Sequence, residues 1–239
     1  MENLNSNKRI VIAGGSSGIG LATAKQLAEK KFDVTITGRD LSKLKAAKES
    51  APVSIEHLDS NDRKALDIFF KKFGSFDHLV LTLSGSKGAG LFKELSLDYL
   101  KEGFEGKFWP QLNTIQAALP YLKEGGSITM VTAISGTAKF PGTSGLAAIN
   151  GALELMVPVL AKEFKSIRIN AVSPGVIDTP WWNFLPTDTK KQTFDKYASK
   201  ILAGRVGRPE EIADVISFLV SNSYMTGQVI GCDGGLSLS

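Results

Sequence analysis

Two kinds of apolar pattern alternate along the chain. Short runs such as Ile10-Val11-Ile12 and Leu79-Val80-Leu81 are apolar without alternation, the signature of strands covered on both faces. Strands are predicted at residues 9–13, 34–37, 53–58, 78–83, 127–132, 167–172 and 229–232. Between them lie longer stretches with helical spacing. Residues 63–72 read as a helix capped by Ser60 or Asn61 and ended by Gly74. Leu146, Ile149, Leu153, Met156, Leu160 and Phe164 fall three and four apart, one apolar stripe. Pro158 should bend that helix or open one of its hydrogen bonds. Strand and helix in alternation imply right-handed crossovers. The expected fold is α/β: a doubly wound parallel sheet of Rossmann type, about seven strands with helices on both faces. No repeat or linker divides the chain, so residues 1–239 are read as a single domain. The least regular stretch is 178–191, with Pro180, Pro186 and Trp181-Trp182. It reads either as part of a substrate-covering lid around 178–205 or as aromatic packing on the domain edge.

Composition narrows the class. The chain has 239 residues, 43% hydrophobic and 22% charged, with a net charge of +4, which is ordinary for a globular domain. Lysines such as Lys25, Lys30 and Lys45 are scattered among acids, a solvated surface rather than a nucleic-acid footprint. The single cysteine, Cys232, excludes an internal disulfide and suits a reducing compartment. Residues 1–7 lack a signal-peptide core, and no apolar run reaches the roughly 18 residues of a membrane span. A cytoplasmic protein without a membrane or nucleic-acid partner is expected. His57 and His78 sit at strand ends without metal-ligand spacing, so no metal is expected.

The candidate chemistry begins where the first strand ends. Gly14, Gly18 and Gly20 enclose Ser16, Ser17 and Ile19 between a buried strand and a helix. Glycine permits the tight turn and lets a pyrophosphate approach the backbone. The helix then offers unpaired N–H groups to the anion, and the serines add hydroxyls. The second strand ends in Gly38-Arg39-Asp40. A free ribose 2′-hydroxyl usually meets an acid at such a strand end, whereas a 2′-phosphate meets an arginine. Gly38 followed by Arg39, with Lys43 one turn on, predicts NADP(H) rather than NAD(H). Asp40 is the contrary sign, and Arg39 as a plain solvent-facing turn residue is the competing reading.

Over essentially its whole length the chain resembles the short-chain dehydrogenase/reductase family. Residues 13–20 are similar to the family's T-G-x-x-x-G-x-G, Leu58-Asp59 to its adenine-contacting aspartate, and residues 168–175 to its R-V-N-x-V-x-P-G run. Residues 204–213 and Asp233-Gly234-Gly235 resemble its C-terminal signatures. The resemblance implies that the backbone after Pro174-Gly175, around Ile177, and Thr179 hold the nicotinamide amide. Thr82-Leu83-Ser84-Gly85 replaces the family's Asn-Asn-Ala-Gly turn. The family transfers hydride at a carbonyl carbon with a serine, a tyrosine, a lysine and an asparagine. Its Y-x-x-x-K falls here on Leu146 and Asn150, and no tyrosine occurs between Tyr121 and Tyr197. The serine position falls on Ala133, flanked by Thr132 and Ser135. The asparagine position falls on Lys107, so lysine and asparagine have exchanged places.

The candidate catalytic residues are therefore Ser135, Lys107 and Asn150. Lys107 is read either as a buried ammonium that polarises an oxygen or as an ordinary surface lysine. Tyr197, on the lid, is a distant candidate for reaching the cofactor. The expected function is an NADP(H)-dependent oxidoreductase acting on a small carbonyl or alcohol through a rearranged site. Leu83, Leu146, Trp181, Trp182 and Phe184 would suit an apolar substrate. The alternative is a non-catalytic NADP(H)-binding regulatory or assembly protein. Because the equivalent of helix 146–164 pairs across a twofold axis in related proteins, a homodimer or homotetramer is expected.

Overall fold

The computed structural model describes residues 8–239, so the N-terminal stretch 1–7 lies outside it. Its seven strands are β1 (Arg9–Ala13), β2 (Asp33–Gly38), β3 (Ser54–His57), β4 (Phe76–Leu81), β5 (Leu122–Val131), β6 (Arg168–Pro174) and β7 (Val229–Cys232). All pair in parallel, in the order β3-β2-β1-β4-β5-β6-β7. The chain starts mid-sheet, runs outward to β3, then crosses back to β4. Beside β1 the order therefore reverses, and there the crossovers diverge and open a crevice beyond the strands' carboxyl ends.

Among the described residues there are seven α-helices, α1 (Gly18–Glu29), α2 (Leu41–Ser50), α3 (Arg63–Phe73), α4 (Leu97–Ala118), α5 (Ser144–Glu163), α6 (Thr187–Ala198) and α7 (Pro209–Ser221); all but α6, which has no buried residue, help cover the sheet. Successive strand residues serve opposite faces. Ile10, Ile12, Val34 and Ile36 pack on Leu27, Leu44 and Ile216. Val11, Leu79, Leu81 and Ile128 pack on Phe70, Ile115 and Leu153. The unalternating apolar runs are thus explained by helices on both sides.

Several element ends differ from the sequence reading. β4 stops at Leu81 rather than residue 83; Thr82 makes its last bond to β1, donating its N–H and its hydroxyl to Ala13 O, both at 2.9 Å. The chain then leaves the sheet toward the crevice. β5 begins five residues before the expected 127, at Leu122, and β6 continues to Pro174. The cap of α3 is Asp62, neither Ser60 nor Asn61, and it accepts from Ala65 N at 2.9 Å. Gly74 ends that helix at φ +75°. α5 runs unbroken through Pro158; the proline lacks only the N–H that would have met the Glu154 carbonyl. Stretch 178–191 is more regular than expected, with a 3₁₀ turn at Pro180–Phe184 followed by the start of α6.

The stripe on α5 faces inward, and none of its six residues is exposed. Ile149 and Leu153 are buried and Val157 joins them, whereas Leu155 and Val159 on the far side are 76% and 53% exposed. α5 is also, by length and composition alone, apolar enough to cross a membrane, with a mean hydropathy of 1.5. Its apolar run is nonetheless interrupted by Asn150 and Glu154. In this fold it packs against β6 and α4.

Candidate active site

The crevice at the strand switch holds a cleft of about 850 Å³. At one end, Gly14 and Gly15 donate their N–H groups to Thr37 O at 3.0 and 3.3 Å, which pins the turn to β2. Gly18 has φ +52°, and a Cβ there would come within 3.2 Å of Thr179, so the turn requires glycine for both conformation and space. Ser17, the extended N-cap of α1, makes no side-chain capping bond. The first-turn N–H groups have no helical acceptor. Ser16, Ser17, Gly18, Ile19 and Gly20 all line the cleft. These features fit a pyrophosphate.

Beyond β2, Gly38, Arg39, Asp40 and Lys43 line the same cleft. Asp40 is engaged through one oxygen, while its Oδ2 has Lys43 Nζ at 3.8 Å. Its Oδ1 takes Ser42 N at 3.0 Å, Lys43 N at 3.1 Å and the Ser42 hydroxyl at 2.5 Å. The Ser42 hydroxyl and the Lys43 N–H hold its carboxyl below the usual carboxylate range. Arg39 is exposed and makes no ion pair among the described residues. The acid that spoke against a 2′-phosphate is therefore engaged in capping α2, while the guanidinium is open to the cleft. Asp59, whose Oδ1 accepts from Asn61 N at 2.9 Å, lines the cleft next to β3. Ser84 and Gly85 follow β4, and Pro174, Gly175, Ile177 and Thr179 follow β6, all on its walls.

Lys107, Ser135 and Asn150 converge at the other end. Lys107 reaches from α4 into the cleft, where its stem is part-exposed and its ammonium donates to Thr132 O at 2.8 Å. It is not a surface lysine. Burial lowers its pKa to about 8, against an opposing pull from the charge of Glu154. Asn150 donates through Nδ2 to Ser135 Oγ at 3.1 Å and to Leu146 O at 2.9 Å. Since Ser135 Oγ accepts from the amide, its own O–H is free to point into the cleft. Asn150 Oδ1 is buried without a partner, an acceptor awaiting a donor. Thr132 drops out as a free hydroxyl, because its single proton is taken by Glu154 Oε1 at 2.8 Å, with Val172 O the other acceptor in reach at 3.2 Å. Leu146, at the position of the family's tyrosine, lines the cleft with its alkyl side chain.

Aromatic residues form one wall. Trp181 donates its indole N–H to Gly85 O at 3.1 Å, and Trp182 donates to Ile177 O at 3.0 Å. Both are half-buried rather than exposed. Tyr197 lines the cleft as well. Phe184, expected in the apolar wall, is 60% exposed and packs edge-on against Trp181 outside it. His78 is a core residue, hydrogen-bonded to Ser127 Oγ at 2.8 Å, with burial pushing its pKa down to about 4. Among the described residues no His, Cys, Asp or Glu cluster could hold a metal. Sequence reasoning missed Glu154, whose one signal was an acid inside an otherwise apolar helical stretch.

Residues 13–237 match a family model described as enoyl-(acyl carrier protein) reductase. A curated relative, the 3-oxoacyl-[acyl-carrier-protein] reductase FabG of Thermotoga maritima, is 34% identical, with 96% of this chain and 97% of the relative covered. A small-chain dehydrogenase solved in complex with NADPH is 33% identical and superposes with a TM-score of 0.86, covering 97% of this chain and 99% of its own. A short chain oxidoreductase from Pseudomonas aeruginosa, described as containing an atypical catalytic center, is 28% identical with a TM-score of 0.88, covering 97% and 98%.

Proposed function

The chain belongs to the short-chain dehydrogenase/reductase family, and from that premise we propose that it is an NADP(H)-dependent oxidoreductase acting on a small apolar carbonyl or alcohol through a rearranged donor set. The cofactor is NADP(H). The glycine turn fits its pyrophosphate, and the open Arg39 beside a committed Asp40 fits its 2′-phosphate. When bound, the cofactor supplies or accepts a hydride at the carbonyl carbon.

The chain's own residues supply the rest. One observation carries the reading: Lys107 brings an ammonium to the cleft end that Ser135, whose Oγ accepts from Asn150, also lines. The ammonium offers a proton at Nζ and the hydroxyl a hydrogen bond to the substrate oxygen, the two tasks that the absent tyrosine leaves vacant. Leu83, Leu146, Trp181 and Trp182 line the surrounding cleft and exclude water. Segment 178–205, tied to the loop after β4 through Trp181, serves as a lid. The same cleft with Leu146 at the tyrosine position favours, as the second reading, a protein that binds NADP(H) without turnover.

Screening aldehydes, ketones and quinones for NADPH oxidation tests the proposal. With a substrate found, Lys107→Met should lower kcat by ~10²-fold or more while NADPH affinity stays within a few-fold. No turnover in folded, cofactor-saturated protein would favour the second reading. For assembly, we propose a homodimer or homotetramer closed over the exposed apolar residues Trp109, Leu155 and Val159 of α4 and α5.

A further inference from the structure

The cleft is backed by a buried acid that the proposed chemistry does not use. Glu154 lies on α5 beside Leu153 and Val157 and is almost fully buried. Its Oε1 accepts the Thr132 hydroxyl and the Ser173 hydroxyl, both at 2.8 Å. Gly136 gives it room, since a Cβ there would stand 2.6 Å from Oε2. It makes no contact ion pair among the described residues. A carboxylate in such surroundings calls for an opposite charge nearby.

Thr132 links it to one. The backbone carbonyl of Thr132 accepts the Lys107 ammonium at 2.8 Å, while its hydroxyl donates to Glu154. The same residue is held in place through its N–H, which donates to Val172 O at 2.9 Å. One residue at the end of β5 thus brackets an ammonium from α4 and a carboxylate from α5.

We propose that Glu154 is a positioning residue for Lys107: the buried carboxylate, acting through Thr132, keeps the ammonium charged and aimed into the cleft. Its use in turnover rests on the reductase reading above, but the pairing is a property of the folded chain and can be measured without turnover. Thr132 from β5, Ser173 from β6 and Gly136 from the 3₁₀ turn surround the carboxylate and carry no charge. Among the described residues, the charge of Glu154 opposes the desolvation of Lys107.

The test follows the Lys107 titration directly, by NMR of protein carrying ¹³C at lysine Cε, with the resonance identified by its loss in Lys107→Met. Glu154→Gln keeps an oxygen for both hydroxyls and removes the charge. It should lower the Lys107 midpoint by about one pH unit or more, and Glu154→Asp should recover part of that shift. Should Glu154→Gln fail to fold, Thr132→Val is titrated instead; it keeps the backbone carbonyl, loses the hydroxyl link and should move the midpoint the same way. An unchanged midpoint in a folded variant overturns the proposal. With a substrate in hand, the basic limb of the kcat profile should move down together with the midpoint, whereas an equal loss at every pH would overturn the positioning role. A midpoint that falls in a protein without turnover supports the pairing and removes the reductase reading, so the two failures stay distinct.

Discussion

Arg39 and Asp40 are neighbours with opposite fates. The carboxylate turns back onto the first turn of α2, and the guanidinium stands open at the cleft. Under the proposed function, cofactor choice is assigned to Arg39. Its replacement in Arg39→Ala should weaken NADPH binding by about 1.5–3 kcal/mol, the loss of one charge-assisted phosphate contact. NADH binding should hardly change, and calorimetric titration of both cofactors reads the difference; equal losses would refute the assignment. Under the proposed function, Lys107 carries the pH dependence. It donates a proton only while charged, and burial has brought its pKa to about 8. Carbonyl reduction should therefore hold level below that value and fall as pH rises through it, while alcohol oxidation, which needs the free amine, should rise. A kcat profile for reduction that stays flat well above pH 8 would remove Lys107 from the chemistry.

At the scale of elements, apolar runs located every strand, and local signals such as Gly74 located some ends. The remaining ends were settled by partners distant in sequence. β4 stops where Thr82 hydrogen-bonds Ala13 rather than where its apolar residues end. The cap of α3 shows how fine the choice can be, since Ser60, Asn61 and Asp62 are all competent capping residues and the backbone path selects the last. Asp62→Ala should cost ~1 kcal/mol of stability, visible as a lower denaturant midpoint with an unchanged slope. Asn61→Ala, whose side chain makes no bond to that helix, should leave the midpoint in place. If the two variants behave alike, the cap is not worth what its geometry implies.

For the whole molecule, the informative surface is the outer side of α4 and α5. The sheet uses one side of α5 and leaves Leu155 and Val159 uncovered, with Trp109 of α4 46% exposed. Apolar side chains of this size on adjoining helices suit a self-complementary twofold contact. Light scattering at micromolar concentration should give a dimer or tetramer, and Leu155→Glu should shift it toward smaller species. A monomeric original protein would refute the contact.

Much of this was legible in the chain itself because its causes are local. A glycine turn between a buried strand and a helix can be read as a candidate anion site from the residues alone, since φ and the absence of Cβ belong to the residue. Unalternating apolar runs imply two covered sheet faces for the same reason. The exchange of lysine and asparagine is what the resemblance to the family's motifs implies. What Lys107 and Asp40 do could not be read from the chain. A charge takes its character from what surrounds it, and those surroundings come from other elements: the Thr132 carbonyl from β5 and Glu154 from α5 for the lysine, the backbone turn into α2 for the aspartate. Desolvation and hydrogen bonding act through space over a few ångströms. Only the packing of α4 and α5 on the sheet makes Lys107 and Glu154 neighbours, and that packing turned an unremarkable surface residue type into the candidate acid of the site.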